Sequence, residues 1–120
     1  QRYEKVFAAG SLSGWVGLQL KSSLRLPQIH TFHSIGAIKY ETTNVFPAIA
    51  QTRLDIEQRC LEQADCVIAT SPQEAITLRQ RVSRKGQIRV IPCGINTQHF
   101  TSVSKEIARQ KLGLASDQPM

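Results

Sequence analysis

The chain has 120 residues, of which 41% are hydrophobic and 20% are charged. This length suits one domain, and the apolar fraction excludes a disordered chain. No run approaches the roughly 18 apolar residues of a membrane-spanning helix, and residues 1–11 lack the apolar segment of a signal peptide. Because the sequence does not begin with Met, we expect a fragment of a longer protein.

Basic residues exceed acidic ones by 15 to 9, and the resulting net charge of +6 favours anionic partners. The basic residues cluster only in residues 79–89, where no aromatic side chain is interleaved to stack on bases. We therefore interpret this cluster as a solvated helix end and expect no nucleic-acid partner. Peripheral contact with a membrane surface stays an open alternative.

Three cysteines are an odd number, and Cys60, Cys66 and Cys93 lack C-x-x-C spacing. This pattern favours neither a zinc site nor a disulfide framework. We interpret the cysteines as core residues of a protein from a reducing compartment, and we expect a cytoplasmic location.

Short apolar runs alternate with stretches of helical periodicity along the chain. In chain order, the predicted elements are a weak strand at residues 6–9, a helix from Ser13 that ends before Pro27, a strand at 28–33, a helix at 47–64, a strand at 65–70, a helix from Ser71, a strand at 87–91 and a helix around 105–112. Continuous apolar runs are typical of parallel strands covered on both faces, and the alternation predicts βαβ units. The predicted fold class is therefore α/β, with a partial Rossmann-like parallel sheet flanked by helices and joined by right-handed crossovers.

The helix that follows Thr70 has a clear start. Ser71 can cap its first turn, Glu74 can reach back three residues, and Pro72 occupies the first helical position. Because this helix follows a parallel strand, its positive N-terminus lies at the carboxyl edge of the sheet, where such folds bind ligands. A structural cap and a place beside a ligand are compatible interpretations.

A segment of fourteen residues, 33–46, separates the second strand from the next helix and is longer than a usual βα loop. It leaves the carboxyl end of its strand, so we expect it at the ligand edge. Its candidate site residues are His33, Ser34 and Lys39, beside a flexible Gly36. His30 lies within the strand and points to the other side, and no carboxylate accompanies the two histidines, so we predict no metal ligation. His33 is either a site residue or a solvent-facing loop residue, and we favour the first.

The helix predicted at residues 47–64 carries two charged residues on its apolar face. At about 100° per residue, Arg53 and Glu57 lie in the middle of the apolar arc, four residues apart. Inward charges are costly unless they are paired or border a wet cleft. One interpretation is a structural buried pair, and the other is a cleft in which Arg53 binds an anion. We favour the second, because a guanidinium can bind a phosphate through two parallel hydrogen bonds.

Four segments in order carry a resemblance to a known family: LSGWVGLQL, LPQIHTFHSIGAIKY, RLDIEQRCLEQADCVIATSPQE and IRVIPCGINTQHF. They are similar to the family 4 nucleotide-sugar glycosyltransferases of GT-B fold, and most similar to the sucrose-phosphate synthase-like branch, over residues 12–100. This resemblance implies two Rossmann-like domains that face each other across a cleft. It implies an acceptor in the N-terminal domain, a nucleotide-sugar donor in the C-terminal domain, retention of anomeric configuration, and no obligatory metal or other cofactor.

The resemblance also implies roles at matching positions. His33 matches a histidine that lines the cleft close to the reacting centre, and we take it as the catalytic candidate. Ser34 and Lys39 match residues that contact the phosphate of the acceptor sugar, and Arg53 matches an arginine with the same task. We expect Glu57, one turn further along, to orient the guanidinium of Arg53.

Two departures from the family pattern bear on the domain assignment. The site histidine and the site aromatic residue that the family usually has just before LSGW are absent, residues 7–11 being Phe-Ala-Ala-Gly-Ser, and the chain stops where a second domain would begin. We therefore expect residues 1–100 to be the C-terminal part of the acceptor-binding N-terminal domain. Residues 101–120 are the expected interdomain segment, leading to a missing domain that would hold most of the donor. We also expect the helix around residues 105–112 to pack loosely or project.

The resemblance implies that this chain is the acceptor side of a retaining glycosyltransferase that acts on a sugar or sugar-phosphate acceptor. We expect no turnover by the 120-residue chain alone, because transfer requires donor and acceptor to be held together. The alternative is an inactive remnant that only binds a phosphorylated sugar or another anion.

Overall fold

The computed structural model describes residues 3–114. In chain order, the helices and strands are β1 (Val6–Ala9), α1 (Ser11–Leu24), β2 (Gln28–Thr31), α2 (Gly36–Thr43), α3 (Ala50–Gln63), β3 (Cys66–Ala69), α4 (Pro72–Arg81), β4 (Ile88–Val90) and α5 (Lys105–Lys111). Each predicted element is present, and its bounds lie within three residues of the prediction. The ends of the two expected domain segments, residues 1–2 and 115–120, lie outside the described residues.

The four strands form one parallel sheet in the order β1-β2-β3-β4. One cross-strand row pairs Ala8 with His30, His30 with Val67, and Val67 with Ile88. The first three of these residues are buried. The helices α1 and α4 pack against the sheet, and α1 also packs against α3. The predicted α/β class with a Rossmann-like parallel sheet is confirmed.

The opposite face of the sheet is less covered than the apolar runs predict. On the edge strands, Phe7 is 61% exposed and Arg89 is exposed. In the central strands, Cys66 and Ile68 are half-buried on this side. The prediction of two covered faces is therefore wrong for the edge strands, because a short apolar run does not reveal whether a helix packs on each face of its strand.

Helix α1 approaches the sheet through glycines. A Cβ on Gly14 would lie 2.6 Å from both His30 Cε1 and Cys60 Sγ, and one on Gly17 would lie 2.5 Å from Gln28 Nε2. This close approach buries the Gln28 and His30 side chains of β2, and Gln28 Nε2 donates to the Gly14 carbonyl at 3.1 Å. The sequence predicts the helix correctly, but its buried face is not the apolar stripe at fourfold spacing. The members of that stripe are exposed: Val16, Leu20 and Leu24.

Helix α2 forms inside the segment that was expected to be a loop. Its residues Gly36 and Tyr40 are buried, and it ends at Asn44, which adopts a left-handed conformation with φ of 51°. The prediction of fourteen irregular residues is wrong, because tertiary contacts of this helix with α3 stabilise eight of them. Lys39 therefore lies on a helix, which restricts the positions that its amine can reach.

The chain beyond β4 extends away from the sheet. Residues 91–107 are all exposed, and α5 buries Arg109 while most of its other residues face solvent. The radius of gyration of 19.4 Å exceeds the roughly 14 Å of a compact domain of this length. The expected projection of the last helix agrees with this arrangement. No helix within residues 3–114 is long and apolar enough to cross a membrane.

Candidate functional site

A cleft of about 860 Å³ opens at the carboxyl ends of β1 and β2. One wall is the turn between β1 and α1, which contributes Gly10 and Ser11, and the other is formed by α2 and the first turns of α3. Most of its lining is apolar, but Ser34, Lys39 and Arg53 also line it. Ligands of open parallel sheets bind at this edge, so the topology and the cleft indicate the same place.

Arg53 is held by two other residues at the border of this cleft. Its Nη2 donates to the Ser34 hydroxyl at 2.7 Å and to the Ser34 carbonyl at 3.1 Å. Its Nε donates to Glu57 Oε1 at 2.8 Å, and its guanidinium carbon lies 5.8 Å from the centre of the Tyr40 ring. The predicted meeting of Ser34, Arg53 and Glu57 is therefore present in the structure.

Glu57 is fully buried and accepts hydrogen bonds from three segments of the chain. Oε1 accepts from Arg53 Nε and from the Ser11 hydroxyl, each at 2.8 Å. Oε2 accepts from the backbone N–H of Gly36, also at 2.8 Å. A buried carboxylate is tolerated when donors satisfy its oxygens, so these bonds explain a charge on the inner face of α3.

The charge of Arg53 is stabilised by its carboxylate partner. Burial acts to lower the pKa of Arg53, but the hydrogen bond to Glu57 and its negative charge outweigh burial, and the pKa is raised. The guanidinium is thus a permanent cation at the cleft border. It keeps a fifth of its side-chain surface exposed, so solvent or a ligand can reach it.

Lys39 and Ser34 lie between this cleft and a second one of about 510 Å³. His33 lines only the second cleft, together with Thr70 and Glu74 from the start of α4. The structure therefore separates the predicted site residues into one group at the first cleft, which includes Arg53, and one at the second cleft, which includes His33, with Ser34 and Lys39 in common.

The predicted capping box at the second cleft is present in a modified form. The Ser71 hydroxyl accepts from the Glu74 backbone N–H at 3.1 Å, as expected. The Glu74 carboxylate accepts from the backbone N–H and the hydroxyl of Thr70, each at 2.6 Å, instead of from Ser71. This carboxylate therefore ties the end of β3 to the start of α4 beside His33.

No group of three or more histidine, cysteine or acidic residues within residues 3–114 could hold a metal ion. His30 is buried, and neither of its ring nitrogens has a hydrogen-bond partner in the described part of the chain. Burial, with the nearby His33 as a smaller cause, lowers the pKa of His30 to about 4. A neutral imidazole in the core explains this residue, and it takes no part in the cleft.

Sequence reasoning missed two contributors to the site: Ser11 and the backbone N–H of Gly36. Both donate to Glu57, from which Ser11 is 46 residues away in sequence and Gly36 is 21 residues away. The sequence indicated a role for Ser11 only through its position in residues 7–11, where the site histidine and site aromatic residue of the family pattern are absent. The structure places this stretch on the cleft wall through Ala9, Gly10 and Ser11, all with small side chains.

The sequence model for Glycosyltransferase Family 4 matches residues 2–99. The chain belongs to glycosyltransferase family 4. Two relatives of this family-4 chain are D-inositol 3-phosphate glycosyltransferases. The one from Nocardia farcinica is 30% identical over 123 residues, and the one from Segniliparus rotundus is 34% identical over 116 residues.

A sucrose-phosphate synthase from Thermosynechococcus elongatus has a similar structure, with a TM-score of 0.79 and 45% sequence identity. The similarity covers 98% of the family-4 chain and 29% of the synthase. The two curated relatives are matched over 98% and 94% of this chain, but over only 27% and 26% of their own length. The chain thus spans less than a third of these proteins, and its parallel sheet with flanking helices is the Rossmann-like arrangement of a GT-B N-terminal domain.

Proposed function

We propose that this chain is the acceptor-binding part of a retaining glycosyltransferase that transfers a sugar from a nucleotide-sugar donor to a phosphorylated sugar. The observation that supports the acceptor assignment is the guanidinium of Arg53 at the cleft border, beside Ser34 and Lys39. Phosphorylated compounds also occur in the names of two similar proteins, a D-inositol 3-phosphate glycosyltransferase and a sucrose-phosphate synthase.

In this proposal the acceptor phosphate lies against Arg53, Lys39 and the hydroxyl of Ser34. The guanidinium and the ammonium supply charge-assisted hydrogen bonds to its oxygens. In the structure, the Ser34 hydroxyl accepts a hydrogen bond from Arg53 Nη2. A bound phosphate would accept hydrogen bonds from this nitrogen in competition with Ser34. The role of Glu57 is to hold Nε of Arg53 and to offset the cost of burying the cation.

Ser34 and Lys39 line both clefts, so an acceptor anchored there can extend toward His33. His33 would then contact the sugars near the bond that forms, as the catalytic residue of this part of the protein. Transfer breaks the bond between the donor sugar and its diphosphate and forms a bond to the acceptor oxygen. Stabilisation of the leaving diphosphate is assigned to a donor-binding part outside these residues.

The second candidate function is an anion-binding module without transferase activity. It is favoured by the small residues Ala9, Gly10 and Ser11 on the cleft wall, where the family pattern has a histidine and an aromatic residue. Binding of a phosphorylated sugar is common to both functions. Turnover of a nucleotide sugar separates them.

The test is the substitution Arg53→Lys, with glucose 6-phosphate, fructose 6-phosphate and D-inositol 3-phosphate as probes in titration calorimetry. Lysine keeps the charge but loses the bidentate geometry. We expect the affinity for the best of these probes to fall about five- to 150-fold, which corresponds to the roughly 1–3 kcal/mol of a charged hydrogen bond.

The matched control is Arg59→Lys, on the same helix, where the guanidinium lies over Trp15 and not at the cleft. This variant should bind the probes as the unsubstituted protein does. If Arg53→Lys lowers the melting temperature but leaves every affinity unchanged, Arg53 and Glu57 are only a structural pair. The acceptor-phosphate assignment would then be wrong.

A further inference from the structure

Ser11, the first residue of α1, makes a long-range contact with the carboxylate that holds Arg53. Its hydroxyl donates to Glu57 Oε1 at 2.8 Å, and Arg53 Nε donates to the same oxygen at the same distance. Ser11 is half-buried and lines the cleft that Arg53 borders. One carboxylate oxygen therefore connects the turn after β1 to the guanidinium.

The other oxygen of Glu57 is fixed by backbone. Gly36 N–H, at the start of α2, donates to Oε2 at 2.8 Å, and a Cβ on Gly36 would lie only 3.0 Å from that oxygen. The carboxylate is thus held on one side by a peptide group that cannot rotate away. The other oxygen, Oε1, can still move, and the hydrogen bonds from Ser11 and Arg53 restrain it together.

We propose that Ser11 is a positioning residue that fixes the guanidinium of Arg53 through Glu57, an inference that rests on the proposed role of Arg53 in acceptor binding. Glu57 is fully buried, so water does not screen or replace the bonds to its oxygens. Without the Ser11 hydroxyl, Oε1 loses one of its two donors and the Arg53 side chain loses part of its restraint. Nη2, which reaches toward Ser34, then samples more orientations at the cleft border.

The test uses Ser11→Ala, Ser11→Thr and the control Ser13→Ala. Ser13 lies on the same turn and lines the same cleft, but its hydroxyl donates to the carbonyls of Ala9 and Gly10. The first measurement needs no ligand, because nuclear magnetic resonance follows exchange of the Arg53 Nε–H with water. The second is the affinity for the phosphorylated sugar that the unsubstituted protein binds best among the three probes.

For Ser11→Ala we expect exchange of the Arg53 Nε–H to accelerate at least threefold and the affinity to fall about three- to tenfold. Ser11→Thr keeps the hydroxyl and should restore both values, while Ser13→Ala should leave the exchange rate unchanged. A merely structural role of Ser11 would lower the melting temperature and leave the exchange rate unchanged, and that result would overturn the inference.

Failure of the proposed function gives a different result. If the unsubstituted protein binds none of the three phosphorylated sugars, the acceptor assignment fails. Accelerated exchange in Ser11→Ala would still support the coupling of Ser11 to Arg53. If affinity falls in Ser11→Ala while the exchange rate does not change, Ser11 acts on the ligand directly and the positioning inference is wrong.

Discussion

Ser34 and Arg53 are nineteen residues apart in sequence and are joined by two hydrogen bonds, in which Arg53 Nη2 donates to the hydroxyl at 2.7 Å and to the carbonyl at 3.1 Å. These bonds hold the segment after β2 against the first turns of α3. The guanidinium therefore fixes the wall of the cleft in the absence of any ligand. The anion that we propose to bind here would have to compete with Ser34 for the hydrogen bonds that Nη2 donates.

Replacing Glu57 with glutamine should destabilise the protein by about 3 kcal/mol. The substitution leaves Arg53 without its anionic partner and sets an amide against the inward-facing donors, and breaking a buried pair typically costs about 3–5 kcal/mol. Urea denaturation measures the change. Asp55→Asn is the control, because Asp55 lies on the same helix but is exposed and accepts a hydrogen bond only from the exposed Gln51 side chain among the described side chains. Equal midpoints for the Glu57→Gln and unsubstituted proteins would contradict this account of the buried carboxylate.

His30 should make the protein less stable as the pH falls from about 6.5 to 4. Burial, with the nearby His33 as a smaller cause, lowers its pKa from 6.5 to about 4, so the unfolded chain binds the proton more tightly than the folded one. The stabilisation is complete above pH 6.5 and is lost progressively toward pH 4, by on the order of 3 kcal/mol. The thiol of Cys60, which like the His30 ring lies next to Gly14 of α1, is neutral throughout this range, and burial raises its pKa from 9.0 to about 11.

Thermal unfolding between pH 4 and 7 checks this prediction. The variant His30→Gln removes the titrating ring, so its melting temperature should depend less on pH in this window than that of the unsubstituted protein. Carboxylates that titrate at the acid end are common to both proteins and cancel in the comparison. Parallel pH profiles would show that His30 does not contribute.

Gly86 should not tolerate alanine. Its φ is 89°, and a Cβ there would lie 1.9 Å from the backbone carbonyl oxygen of Leu61 at the end of α3. Because the clashing atom belongs to the backbone, the clash can be removed only by moving α3 or the turn before β4. We expect the free energy of unfolding to fall by about 3 kcal/mol or more. Gly94→Ala is the control, since a Cβ at Gly94 meets nothing within 4 Å. Similar chemical denaturation midpoints for both variants would refute this prediction.

The parallel sheet and the inward pair on α3 could be predicted because their signals lie in short stretches of sequence. The run around Val67 is apolar and of strand length, the run around Ile29 has the length of a strand, and Arg53 and Glu57 are separated by one helical turn. Spacing therefore showed that two charges interrupt an apolar face. It could not show which of the two is buried more deeply.

The missed features depend on contacts between distant parts of the chain. Helix α2 has only eight residues and two threonines, so its own propensity is weak, and its packing against α3 decides the outcome. The buried face of α1 is set by Gly14 and Gly17, which carry no hydrophobic signal. The bond from Ser11 to Glu57 spans 46 residues and has no counterpart in local periodicity.

The strand order β1-β2-β3-β4 has a consequence for synthesis of the chain. Within residues 3–114, each strand after β1 pairs with the strand just before it in sequence, and no pairing skips a strand. A ribosome that releases the chain from its N-terminus therefore delivers each new strand to an edge whose partner has already been made. Among the described strands, the sheet can therefore grow from β1 toward β4 during translation.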